Sequence, residues 1–250
     1  MGKVYLVGAG PGAVDLLTVR AARLLAEADI VFHDALIGDD VLALAPRAER
    51  IAVGKRCGTH STSQRFINKR LVDAAAKYAT VVRLKGGDPM LFGRAQEELD
   101  ALAEAGVDVE VVPGITAALA ASADLKRSLT RRGVARSVAF VTPRIGEGED
   151  VADWTDAAAA ADTVVIYMGA VDAIAVAQAL IERGRSPSTP IALIENASRP
   201  DRVVTGGVLA SLPALAAARG KGPALIVVGE VVRDVAALAS EGLERVYAIR

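Results

Sequence analysis

The chain has 250 residues, with 29 Lys and Arg against 30 Asp and Glu and 52% apolar content, which excludes a basic nucleic-acid binder and a disordered chain. One cysteine rules out an intramolecular disulfide, and two histidines leave little for a His/Cys metal site, so no metal is expected. The longest uncharged run, residues 203–218, contains Gly206, Gly207 and Pro213 and is too short to span a bilayer; with no secretory leader after Met1, the expectation is a cytoplasmic protein with neither membrane nor nucleic-acid partner.

Residues 3–7 read as a buried strand that runs into the turn Gly8-Ala-Gly-Pro-Gly-Ala-Val-Asp15. A helix over residues 18–28 follows, with Thr18 as its N-cap. Residues 29–34 form a second strand, 39–45 a short helix, and 50–54 a third strand that enters a polar loop from Lys55. A helix over 63–77 precedes the strand 81–85, which ends in Gly86-Gly-Asp-Pro89; a helix over 94–105 and a strand over 107–112 come next. Paired glycines at a strand's carboxyl end let backbone approach a ligand, and Pro89 ends the ladder. From Pro113 the pattern becomes a small-residue helix, followed by the basic stretch 126–136. Strands are expected at 137–142, 163–168, 190–195, 202–205 and 224–228, with a loop over 143–153, a helix over 171–183 and a short tail at the end.

Alternating strands and helices mean βαβ units. The expected architecture is α/β and two-lobed, each lobe a mostly parallel sheet flanked by helices, with the active site in the cleft between lobes. The lobes are 1–114 and 115–250. Gly8-Ala-Gly-Pro-Gly-Ala13, with Asp34 lying 21 residues later at a strand end, also fits a dinucleotide fingerprint. Against NAD, Pro11 removes an amide from the turn, and the helix starts too late for its amino end to meet a pyrophosphate.

Eight motifs occur in order: Val7-Gly-Ala-Gly-Pro-Gly12, Asp34 after Val-Phe-His, Val53-Gly-Lys-Arg56, Arg83-Leu-Lys-Gly-Gly-Asp-Pro89, Val112-Pro-Gly-Ile-Thr-Ala117, Tyr167-Met-Gly169, Glu195-Asn196 and Pro223-Ala-Leu-Ile-Val-Val-Gly-Glu230. Over essentially its whole length the chain thereby resembles the tetrapyrrole methylases, most closely the branch acting on uroporphyrinogen III. The resemblance implies a stand-alone enzyme and a homodimer, with S-adenosylmethionine as methyl donor and S-adenosylhomocysteine as product. It implies methylation of uroporphyrinogen III at C2 and C7, through precorrin-1 to precorrin-2, in siroheme or cobalamin biosynthesis. Carried over motif by motif, the cofactor contacts are Pro11, Gly86, Gly87, Asp88, Leu91, Thr116, Ala117, Met168 and Ala197. Asp34 aligns with the proposed base and Lys55 with a proposed proton donor.

A substrate with eight carboxylates calls for cations. Lys126, Arg127, Arg131, Arg132 and Arg136 form the densest basic cluster, of which Arg127, Arg131 and Arg132, together with Arg56, are the substrate-binding candidates. In this segment Arg131 stands where the resemblance has histidine and Ser128 where it has proline, and Ala197 replaces a frequent glycine. The alternatives are a methylase of a later precorrin, an NAD-dependent oxidoreductase, and a non-catalytic module that binds the cofactor.

Overall fold

The computed structural model describes residues 1–54, 64–145 and 153–240, with backbone alone at 238–240. The chain forms two compact units, Met1–Ala117 and Ala118–Arg250. The first holds the strands β1 (Lys3–Gly8), β2 (Ile30–His33), β3 (Glu49–Ala52), β4 (Thr80–Lys85) and β5 (Val109–Val112), in the order β3-β2-β4-β1-β5. Every pairing is parallel. β1 is largely apolar, and β4 is buried along most of its length although it carries Arg83 and Lys85, because helices cover both faces of the sheet.

Each face has its own core. Val82, Leu84, Val7 and Val31 pack with Leu24 and Leu25 of α1 (Val19–Glu27) and with Val41 and Leu42 of α2 (Asp39–Leu42). On the other face Val81, Val4, Leu6 and Phe32 pack with Ile67 and Leu71 of α3 (Gln64–Ala75) and Leu102 of α4 (Ala95–Glu104). Successive residues of a strand point to opposite faces, so Val82 and Leu84 meet one pair of helices while Val81, Arg83 and Lys85 meet the other. Thr18 caps α1 as expected, its hydroxyl oxygen accepting from the Ala21 amide at 3.1 Å.

The second unit contains α5 (Ala117–Leu125, its first residue belonging to the first unit), β6 (Val138–Val141), α6 (Trp154–Ala160), β7 (Thr163–Tyr167), α7 (Ala173–Glu182), β8 (Pro190–Glu195), β9 (Val203–Val208), α8 (Leu212–Ala218), β10 (Ala224–Val228) and α9 (Arg233–Ser240). Its sheet order is β6-β7-β10-β8-β9. Here the expectation of a mostly parallel sheet is corrected. Only β6–β7 is parallel, while β7–β10, β10–β8 and β8–β9 are antiparallel. Residues 196–202 join β8 to β9, and a link that short can only turn the chain back; a parallel neighbour needs a crossover of a dozen residues or more.

The expected tail is also corrected. After β10 a single 3-10 turn, Glu230–Val232, leads into α9, which lies on β9. Gly206 makes room for it: a Cβ there would sit 2.2 Å from the Val235 carbonyl oxygen. The next residue, Gly207, faces Leu215 of α8, so the two helices occupy opposite faces of β9. α6 and α8 are two further elements absent from the sequence reading. Both are seven residues long and rich in alanine, shorter than the window of about 11–18 residues in which helical periodicity stands out.

Candidate active site

All pairings in the first sheet are parallel, so the carboxyl ends of its strands gather on one edge. That edge carries Pro11 after β1, Asp34 after β2, Gly86, Gly87 and Asp88 after β4, and Thr116 and Ala117 after β5. β1 is followed by a helix on one face and β4 by a helix on the other, so the crevice between these adjacent strands is a topological switch point. Open α/β sheets take their ligands there.

Backbone bonds zip the two loops of this crevice together. The Ala9 amide donates to the Lys85 carbonyl at 2.7 Å, the Gly87 amide to Gly10 at 2.7 Å, and the Gly10 amide to Gly87 at 3.2 Å. Gly87 has φ +66°, which a side chain would strain. Beside Gly86 lies open space, with no atom within 4 Å of where a Cβ would stand, so a ligand can meet bare backbone. Asp88 spends both oxygens on backbone: Oδ1 accepts from the Met90 amide at 2.8 Å and Oδ2 from Gly114 at 2.9 Å. It therefore shapes the loop and ties it to the turn after β5. Leu91 is half-buried next to it, its amide donating to the Asp88 carbonyl at 3.3 Å. Thr116 borders Gly87, its Cα 3.8 Å from the Cβ position of that glycine.

The first helix after the glycine turn starts only at Val19, beyond the 3-10 turn Val14–Leu16. A pyrophosphate in that turn would meet no helix amino terminus, which leaves the dinucleotide reading without its anion site.

Beneath the edge lies a cluster that the sequence reading did not assign. Arg83 and Lys85, both 3% exposed, face Glu98 of α4, which is wholly buried. Arg83 Nε donates to Glu98 Oε1 at 2.9 Å and Lys85 Nζ to Oε2 at 2.9 Å, while Gln64 Nε2 donates to Oε1 at 3.2 Å. Arg83 Nη2 reaches Asp34 Oδ1 at 2.6 Å. Asp34 Oδ2 has no partner among the described residues, and the side chain is one-third exposed. Burial opposes the charge on Arg83, but the Asp34 and Glu98 carboxylates outweigh it and hold the guanidinium above its ordinary value. For Lys85 burial wins, aided by the charge of Arg83, and pulls the ammonium down despite Glu98. A signal was available in the sequence. Two cations at alternate positions of an otherwise apolar strand share one buried face and demand a buried acid.

In the second sheet β6, β7 and β8 run the same way, so Met168 after β7 and Ala197 after β8 share a carboxyl edge. The backbone there is strained: Met168, Asn196 and Ser198 have φ of 57°, 51° and 68°. Met168 is 40% exposed and Ala197 is buried. The strain is held by Asp124 of α5, which accepts from the Ser198 amide at 2.7 Å and pairs with Arg202. Tyr167 steadies the start of α5, its phenolic oxygen accepting from the Ala118 amide at 3.1 Å.

The basic segment runs from α5 to the amino edge of this sheet, the edge opposite Met168 and Ala197. Asp162, just before β7, accepts the amides of Arg136 at 2.7 Å and Ser137 at 3.0 Å together with the Ser137 hydroxyl at 2.9 Å. Arg131 and Arg132 stand exposed at a hairpin closed by reciprocal bonds between Arg131 and Ala135. Arg127 pairs with Asp234 at 3.3 Å, so its charge is already met. Ser128 accepts from the Thr130 amide at 3.3 Å and turns the chain where the resemblance has proline. Lys55 and Arg56 lie outside the described residues. Among the described residues no three His, Cys, Asp or Glu converge as a metal site, and no helix is long and apolar enough to cross a membrane.

Comparison with known proteins adds four matches. The family model for Tetrapyrrole (Corrin/Porphyrin) Methylases matches residues 3–213. Siroheme synthase 1 of Serratia proteamaculans is 47% identical over 232 residues, covering 92% of this chain but 48% of the relative. The chain thus spans about half the length of the curated relatives it matches. Among solved structures, uroporphyrin-III C-methyl transferase from Thermus thermophilus, complexed with S-adenosyl homocysteine, superposes with a TM-score of 0.82 at 42% identity, covering 93% of this chain and all of the other. A cobalt precorrin-4 methyltransferase superposes with a TM-score of 0.80 at 30% identity, covering 92% and 95%.

Proposed function

The chain belongs to the tetrapyrrole methylase family, and from that premise we propose that it transfers methyl groups from S-adenosylmethionine to C2 and C7 of uroporphyrinogen III, giving precorrin-2. The observation that carries the reading is the switch-point crevice of the first sheet. It offers open backbone at Gly86, beside the Gly10–Gly87 backbone pair, with the half-free carboxylate of Asp34 on the same edge. The Thermus enzyme, similar over its whole length, was solved with the demethylated cofactor, which supports the same donor here.

The residues fit that cofactor. Gly86 leaves backbone bare for its polar groups, Thr116 borders the neighbouring Gly87, and Pro11 follows Gly10, which is bonded to Gly87. Leu91 and Ala117 of the same unit, and Met168 and Ala197 of the second unit, are further candidates. Bound S-adenosylmethionine supplies an electrophilic methyl on a sulfonium that carries its own leaving group. The chain then has two tasks, to orient the pyrrole carbon in line with that methyl and to remove the proton displaced from the ring. Arg83 holds Oδ1 of Asp34 and leaves Oδ2 to accept the proton. Arg131 and Arg132 carry exposed charge suited to the propionate and acetate arms of the substrate, with Arg56 and Lys55 as further candidates. A homodimer is part of the reading.

The test is an anaerobic incubation of the protein with uroporphyrinogen III and S-adenosylmethionine, with products identified by mass. Two added methyl groups are expected. Methylation of a later corrin intermediate in place of uroporphyrinogen III would overturn the substrate and favour the cobalt precorrin-4 type of relative.

A further inference from the structure

Arg83, Lys85 and Glu98 lie beneath the crevice, with Arg83 reaching Asp34 on its edge, and they are among the few charged side chains buried in the described structure. With Asp34 they form a group of two cations and two anions, neutral as a whole. We propose that Glu98 is a positioning residue: forked between Arg83 and Lys85, it holds the guanidinium against Asp34 and pins Lys85 against the Pro89–Gly93 loop that follows the Gly86–Asp88 turn, so that one carboxylate sets both the proton acceptor and the cofactor loop. The proposal rests on the reading of Asp34 as the base.

The geometry supports each half. Arg83 directs Nε to Glu98 and Nη2 to Asp34, so the planar guanidinium is fixed between two carboxylates and its orientation toward Asp34 depends on the other contact. Its remaining nitrogen, Nη1, is used on the Leu84 carbonyl at 3.2 Å. Lys85 is the last residue of β4 and immediately precedes the glycine pair. Its Cε lies 3.2 Å from the Cβ position of Gly93, so the stem runs beneath the loop from Pro89 to Gly93, and Glu98 is its one carboxylate partner among the described residues. Glu98 is held in turn. Gln64 donates to it and to Asn68 Oδ1 at 3.0 Å, while Asn68 Nδ2 donates to the Glu97 carbonyl at 2.9 Å.

Among the described residues the charged and titratable groups around Asp34 are few. β4 contributes Arg83 and Lys85, and α4 contributes Glu98. His33 on β2 directs its Nδ1 to the Asp34 carbonyl at 3.2 Å, and Arg70 of α3 lies over the Phe32 ring. After β3, among the described residues, the Gly54 backbone approaches, and α2 begins with Asp39 and Asp40. Removing the Glu98 charge leaves Asp34 in a more positive field, which favours its ionised form and weakens it as a base. Removing the Lys85 charge makes the field more negative and does the reverse.

The experiment is the pH–rate profile of uroporphyrinogen III methylation by the full chain as wild type, Glu98→Gln and Lys85→Met, with Asp34→Asn as reference. Glu98→Gln is expected to move the acidic limb to lower pH and to lower kcat about tenfold, the share of general-base catalysis lost when its geometry loosens. Lys85→Met is expected to move the limb to higher pH. Limbs that stay in place, or that move the same way in both variants, would overturn the proposal and leave a purely structural ion pair. Should Glu98→Gln not fold, Lys85→Met decides by the direction of its limb, an unmoved or lowered limb being the overturning result. Wild-type kcat in Asp34→Asn would sink the base reading and the proposal with it. An inactive Asp34→Asn beside unmoved limbs would sink the proposal alone.

Discussion

Asp162 holds the amino end of β6 with one oxygen, accepting from the Arg136 and Ser137 amides and the Ser137 hydroxyl. The Arg136 amide first, and then the Ser137 hydroxyl, lower its carboxyl below the ordinary value of 3.8. A depressed carboxylate contributes stability that is full above its unfolded value and disappears as pH falls through the folded one. Thermal unfolding of Asp162→Asn should therefore begin below wild type at pH 7, with the gap closing as pH drops under about 4. An unchanged gap at pH 3 would mean that the charge is not what matters. Asp88 works by similar means on the candidate site, with two backbone amides on one carboxylate. Hydrogen bonds to a charged group contribute about 1.5–3 kcal/mol each. Asp88→Ala should therefore weaken S-adenosylhomocysteine binding by roughly tenfold or more in calorimetry, since the Gly86–Gly87 backbone is no longer held in place. Equal affinity would remove Asp88 from the construction of the site.

Elements meet closely at two glycines. At Gly114 a Cβ would stand 2.3 Å from the Gly87 carbonyl oxygen and 2.8 Å from Gly8 Cα, so the ends of β1, β4 and β5 converge without room for a methyl group. Gly114→Ala should separate the loops, lowering cofactor affinity along with stability. At Gly206 the backbone of α9 occupies the space a side chain would need. Overpacking there should cost about 1–3 kcal/mol, read as a fall in Tm of roughly 3–10 °C for Gly206→Ala. A Tm within error of wild type would place α9 elsewhere. Neither contact could be read from the sequence, which does not show that Gly206 and Gly207 serve opposite faces of one strand.

For the molecule as a whole, the parallel first sheet and the mixed second sheet present their proposed cofactor residues in the same manner, at carboxyl strand ends. Chains with a net charge near −1 gain little from long-range repulsion, so association through apolar surface meets little opposition. Val171 and Ile174, at 74% and 63% exposure, are such surface. Light scattering after size exclusion should give twice the mass of the 25.8 kDa chain if the proposed homodimer forms, and a single chain's mass would remove that part of the reading.

Much of this was legible in the residues. β-branched runs followed by glycines located the strands and the turns at their carboxyl ends, because burial on two faces favours apolar residues and glycine fits a close backbone approach. Thr18 marked its helix by a local bond that needs no tertiary partner. Tertiary structure alone decided the rest. The direction of β10 and β9, the helix after them and the partners of Arg83 and Lys85 depend on residues far away in the chain, and local propensity is silent about which distant element will cover a face. Glu98 shows why: in sequence it is one acid of a helix's first turn, and only the packing of α4 on β4 turns it into the buried counter-charge of two cations.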